Sequence, residues 1–254
     1  MRRYRGMFAL AEQEVPQACR HWRSQLLGPI AGWGVFMLTF AAALGSRIGP
    51  MANAGFGAFI IPGLCTMAML TNTGLTTGTA VWQARHDRYI NAVLSAPLRP
   101  ADIALGYLIG SLFRPMVIGA GLLGVGPMMF DVPIRRPLVL VIAWVLTLTL
   151  VGAVGLIIGL HSRTAQQVTT AVIYGLQPLG YVSGVWFTTD VIPPPVRELM
   201  RLDPVFYVTQ AIRAGMLGTA DASVWQSLTI TAGLVAALLT VALWLFTTGR
   251  GLKA

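Results

Sequence analysis

The sequence predicts an all-α integral membrane protein with six transmembrane helices, and three observations carry that reading. Hydrophobic residues fill 55% of the 254 positions and charged residues only 11%, less than half the roughly 25% of a typical soluble domain. Mean hydropathy is +0.68. The charges, seventeen arginines, one lysine and nine acids, sit in small groups between long uncharged runs, the layout of loops between membrane spans. A soluble enzyme, a disordered chain and a collagen-like fibre are excluded together. The net charge of +9 is not a nucleic-acid signal, because no basic stripe is interleaved with aromatics.

The elements follow in order. MRRYRGMFALAEQEVPQACRHWRS opens the chain. It has no apolar core and cleavage site of signal-peptide form. Its apolar residues Met7, Phe8, Leu10, Ala11, Val15 and Ala18 recur at helical spacing, so residues 1–23 read as an amphipathic helix in the membrane interface. A span needs about 20 apolar residues. The uncharged stretch Ser24 to Ser46 supplies the first. From Ile48 to Ala84 no charge occurs, too long for one straight crossing, so MANAGFG reads as loop and Phe56 to Ala80 as the second span. The third covers Ala101 to Met128, the fourth Leu138 to Leu160 and the fifth Val168 to Phe187. Residues 188–221 are apolar but broken by charges and prolines, and read as a re-entrant or interfacial helical hairpin. The sixth span is Val224 to Phe246, and 247–254 form a tail. One membrane domain thus fills 1–254.

Six spans put both termini on one side. With the termini inside, inner segments hold eleven basic residues and outer segments six, which predicts cytoplasmic termini. Cys19 lies in the aqueous segment and Cys65 inside an apolar run, so no disulfide is expected. His21, His86 and His161 are far apart, and no metal-ligand spacing exists.

Glycines recur at four-residue spacing in Gly28/Gly32, Gly74/Gly78, Gly106/Gly110, Gly155/Gly159 and Gly180/Gly184. Such small faces serve close helix packing within one chain or between two. Polar residues inside spans mark a candidate path. Thr71, Asn72 and Thr76 lie on the second span, and Tyr174, Gln177 and Tyr181 on the fifth at i, i+3 and i+7. Mid-membrane amides need partners other than lipid. These stripes read either as helix contact or as the lining of a path for an amphiphile. Arg114 lies about 18 Å beyond Asp102 along its helix; it reads either as a structural pair or as a contact for an anionic substrate. Trp82 to Pro100 is the longest inner loop, amphipathic around Tyr89, Ile90, Val93 and Leu94, and reads as a docking helix or as a helix resting on lipid headgroups.

Absences matter too. The sole lysine is Lys253, so the chain holds no phosphate-binding G-x-x-x-x-G-K-[ST] loop. No G-x-S-x-G elbow, H-E-x-x-H pair or intramembrane carboxylate pair occurs.

FGAFIIPGLCTMAMLTN, RYINAVLSAPLRPADIALGYLIG and QPLGYVSGVWFTTDVIPPPVRELMRLDPVFYVTQAIRAGMLG, with GSRIG after the first span and GRGL at the end, resemble the type-2 ABC transporter permeases. That family includes drug, nodulation-factor, polysaccharide and lipid exporters. The resemblance implies a non-enzymatic permease in the bacterial cytoplasmic membrane. It implies an N-terminal connecting helix, a second permease subunit, surrounding lipid, and a separate cytoplasmic ATPase dimer that binds the ATP and Mg. It makes Arg85 to Pro97 a coupling helix, with Arg85, Asp87, Arg88, Asn91 and Pro97 facing the ATPase, and Arg163 in the turn Ser162 to Gln167 a second contact. Residues 188–221 become the extracytoplasmic re-entrant hairpin. Asn91 stands where many relatives have glutamate, and Asp203 where many have asparagine. The expected function is export of an amphiphile such as a drug, lipid or glycoconjugate, along a path through Thr71, Asn72, Thr76, Arg114, Tyr174, Gln177 and Tyr181. The rival is a membrane enzyme or scaffold subunit with no transport role.

Overall fold

The computed structural model describes residues 20–45, 55–86, 100–130, 132–189 and 192–248, with the side chains of 100, 129 and 130 set aside. Residues 1–19 of the expected interfacial helix, residues 249–254 of the expected tail, and Asp87, Arg88, Asn91 and Pro97 lie outside the described residues. The described residues form helices joined by turns, with no strand among them. They are α1 (Gly28–Gly45), α2 (Phe56–His86), α3 (Pro100–Phe130), α4 (Pro137–His161), α5 (Ala165–Ala171), α6 (Gln177–Val182), α7 (Pro194–Leu202), α8 (Pro204–Leu217) and α9 (Val224–Thr248).

Five helical segments are long and apolar enough to cross a membrane: Arg23–Gly45, Phe56–His86, Ala101–Met128, Pro137–His161 and Val224–Thr248. They coincide with five of the six expected spans. α2 outruns its expected end at Ala80 and continues to His86. No breaker intervenes, and Trp82 stacks on His86 one turn later with ring centroids 5.0 Å apart. At 1.5 Å per residue its 31 residues reach about 46 Å, beyond the roughly 30 Å of hydrocarbon.

The expected fifth span is built in three pieces: α5, a π turn Val172–Leu176, and α6. It ends at Val182, short of Phe187, because Gly184 turns the chain with φ +74°. The helix before α1 likewise carries a π turn, Arg23–Leu27. Each π turn sits directly upstream of a proline. Gly28 N–H donates to Arg23 O just before Pro29, and Gln177 N–H donates to Val172 O just before Pro178. Proline lacks the N–H an α turn needs and its ring crowds the carbonyl four residues back, so the preceding turn widens.

α2 is the centre of the bundle, 78% buried over its apolar window against 11% for α1 at the rim. It packs most extensively on α4 and α3. The α2–α4 crossing is the small-residue contact expected from sequence. A Cβ on Gly155 would stand 2.9 Å from Thr77 Cβ, and one on Gly78 would stand 2.7 Å from Val168 of α5. Two helix backbones meet where only hydrogen side chains fit, which is how helices gain dispersion contact in lipid. Gly32, by contrast, has no atom within 4 Å of where its Cβ would stand.

The segment before α9 forms two short helices, of 9 and 14 residues, hinged at Asp203. Asp203 caps α8 by accepting from Val205 N–H at 2.9 Å. α7 is largely exposed, whereas α8 is buried from Val205 to Leu217 except at Tyr207. α8 lies where α2, α4 and α9 begin. Arg213 meets Phe59 of α2, Gly215 abuts Leu140 of α4, and Gln210 accepts from Asp221 N–H ahead of α9.

Candidate functional site

A cavity of about 370 Å³ lies between α1, α2 and α6. Pro29, Gly32, Trp33 and Phe36 give the α1 wall, Leu64 and Met67 the α2 wall, and Gln177 and Tyr181 the α6 wall. Trp186, in the strap of residues 183–189 that leaves α6, completes the lining. Physical reasons place each wall. Gly32 leaves room where a side chain would project. Gly180 lies so close to Met67 that α6 is drawn onto α2. Trp186 is held by aromatic contact with α1, 5.2 Å from Phe40 and 6.2 Å from Phe36 between ring centroids.

No acid or base lines this cavity; its polar groups are the Gln177 amide, the Tyr181 hydroxyl and the indole N–H groups. Such a surface offers ring faces and a few hydrogen bonds to a mostly apolar guest.

The expected path residues divide. Gln177 and Tyr181 share the cavity. Tyr174 does not line it and stands 77% exposed; it lies within the π turn, whose wider winding takes it off the Gln177 face. Thr71 and Asn72 are half-buried and bond back to their own helix, Thr71 Oγ1 to Met67 O at 3.0 Å and Asn72 Nδ2 to Ala68 O at 2.8 Å. Thr76 is buried. Arg114 is half-buried on α3, away from the cavity lining. Trp33, Phe36 and Trp186 were missed by the polar-residue reading; their signal was aromatic clustering in GWGVF and GVWF.

At the other end of α2, Arg85 Nη1 donates to Gly159 O at 2.9 Å and Ser162 O at 3.0 Å. These are carbonyls at the end of α4, where helices leave acceptors without intrahelical partners. Arg163 is exposed in the next turn. There Thr164 Oγ1 accepts from Gln167 N–H at 3.2 Å and Gln167 Oε1 accepts from Arg163 N–H at 2.7 Å, a reciprocal arrangement that starts α5. The ends of α2 and α4 and the start of α5 are therefore one hydrogen-bonded unit. Among the described residues no cluster of His, Cys, Asp or Glu is arranged to hold a metal ion.

Long apolar helices packed through glycine around a helical core, with a charge-free cavity on one flank, define a multi-pass membrane protein. The chain belongs to the ABC-2 type transporter family, whose model matches residues 5–217. It is 26% identical over 242 residues to the inner membrane transport permease YadH of Escherichia coli K12, covering 95% of this chain and 94% of that protein. It is also 24% identical over 196 residues to nodulation protein J of Rhizobium leguminosarum bv. trifolii, covering 77% of this chain and 75% of that one. Family membership places it among transporter permeases rather than enzymes.

Proposed function

We propose that this chain is the membrane subunit of an ATP-driven exporter in the bacterial inner membrane, working as a pair with a separate cytoplasmic ATPase, and that the α1–α2–α6 cavity is part of the path for an amphiphile. The carrying observation is the cavity itself, with Gln177 and Tyr181 set among aromatic rings. The exposed face beside it supports pairing. Tyr174 and Tyr181 are 77% and 48% exposed, and phenolic hydroxyls facing lipid lack partners. The absence of a phosphate-binding loop leaves the energy to a partner. In this reading the termini are cytoplasmic and α5 to α6 make the sixth crossing. The α7–α8 hairpin then re-enters from the outside, and residues 85–97 with the turn at Arg163 receive the ATPase.

The test has two arms. Arg88→Glu should reduce co-purification of the ATPase while the chain still inserts. In a chain lacking Cys19 and Cys65, a cysteine at 177 should react with polar thiol reagents in at least one nucleotide state, and Gln177→Leu should alter transport. If the cysteine is protected in every state and Gln177→Leu transports normally, the path lies elsewhere.

A further inference from the structure

Among the described residues, Arg213 is the largest side chain that is fully buried. It sits on α8, within VFYVTQAIRAGMLG, and a buried charge is costly unless hydrogen bonds or other polar partners offset its lost hydration. Its Nη2 donates to Gly184 O at 2.8 Å, and its guanidinium carbon lies 4.0 Å from the ring centroid of Phe59 on α2. Gly184 is the left-handed residue that ends the α6 turn, φ +74°. Two residues later comes Trp186, the wall of the cavity.

The strap between them is fixed at other points as well. Val185 is fully buried against Gly63, where an added Cβ would stand 2.7 Å from Val185 Cγ1. At the strap's far end, Thr189 N–H donates to Asp221 Oδ2 at 2.9 Å. Asp221 N–H in turn donates to Gln210 Oε1 at 3.0 Å. Gln210 and Arg213 lie at i and i+3, so one face of α8 reaches both ends of the strap.

We infer that Arg213 is a positioning residue that sets the cavity wall. By lying on the Phe59 ring and donating to the Gly184 carbonyl, it fixes the strap so that Trp186 packs against the Phe36–Phe40 pair. The cavity's role in transport rests on the function proposed above; the placement of Trp186 does not.

The test uses the full chain in lipid nanodiscs with Trp186 as its sole tryptophan, the others replaced by phenylalanine. A parallel chain keeps only Trp144 of α4. Arg213→Lys keeps the charge but cannot both lie flat on Phe59 and bond Gly184 O. It should red-shift Trp186 emission and raise its quenching by acrylamide, and leave Trp144 unchanged. Equal changes at both tryptophans, or none at Trp186, overturn the inference. If Arg213→Lys is not recovered folded, Phe59→Leu removes only the ring beneath the guanidinium and is judged by the same two readouts. Normal transport by Gln177→Leu would sink the path reading and leave this result standing.

Discussion

Gly159 and Gly78 bring α4 and α2 so close that a Cβ on Gly159 would stand 2.6 Å from the Gly78 carbonyl oxygen. The obstacle is backbone, which cannot swing aside as a side chain would. Gly159→Ala should therefore lower stability by about 1–3 kcal/mol through overpacking. Gly233→Ala on α9, with no atom within 4 Å, should be neutral or stabilise by roughly 0.4–1 kcal/mol. Thermal unfolding of the two variants in detergent checks the contrast.

Arg85 joins the end of α2 to the end of α4. Arg85→Leu removes a charge-assisted donor from two carbonyls and should cost about 1.5–3 kcal/mol. Arg85→Lys should retain part of it, since one ammonium can reach one carbonyl. Melting curves that leave Arg85→Leu equal to the parent would refute the clamp.

Cys65 is fully buried in α2. In a Cys19→Ser chain, maleimide should not label the folded protein and should label it fully after denaturation in SDS. Labelling at the native state with unchanged folding would mean that α2 opens.

The chain alone should hydrolyse no ATP, since its one lysine is Lys253 and no glycine-rich phosphate loop precedes it. Phosphate release from contaminant-free protein above the blank would contradict this.

The spans were legible because long uncharged runs have one stable solution in lipid, so Pro137–His161 was anticipated within one residue at each end. The glycine crossing of α2 and α4 was legible from four-residue spacing. The segmentation of the fifth span was not read, although Pro178 carried the signal: a missing N–H forces the widening at Val172–Leu176. Tyr174 was assigned to one face with Gln177 by counting 3.6 residues per turn across a stretch that has more. The cavity was half legible. Gln177 and Tyr181 drew notice as polar residues in a span, whereas Trp33 and Trp186 meet only in three dimensions. Arg213 was seen as a charge in the hairpin, but its burial depends on α8 folding over Phe59, which no local pattern encodes.

The two π turns also bear on chain length. A π turn holds one residue more than the α turn it replaces, so each behaves as a one-residue insertion that its helix has absorbed. Deleting one residue from Val172–Leu176 would restore α geometry and keep the flanking faces where they are, whereas deleting one from the regular turns of α5 would rotate everything after it by about 100° around the helix axis. In the second case Gln177 and Tyr181 would leave the cavity while every apolar residue of the span remained apolar. A hydropathy profile would register no change, and the lining of the cavity would be lost.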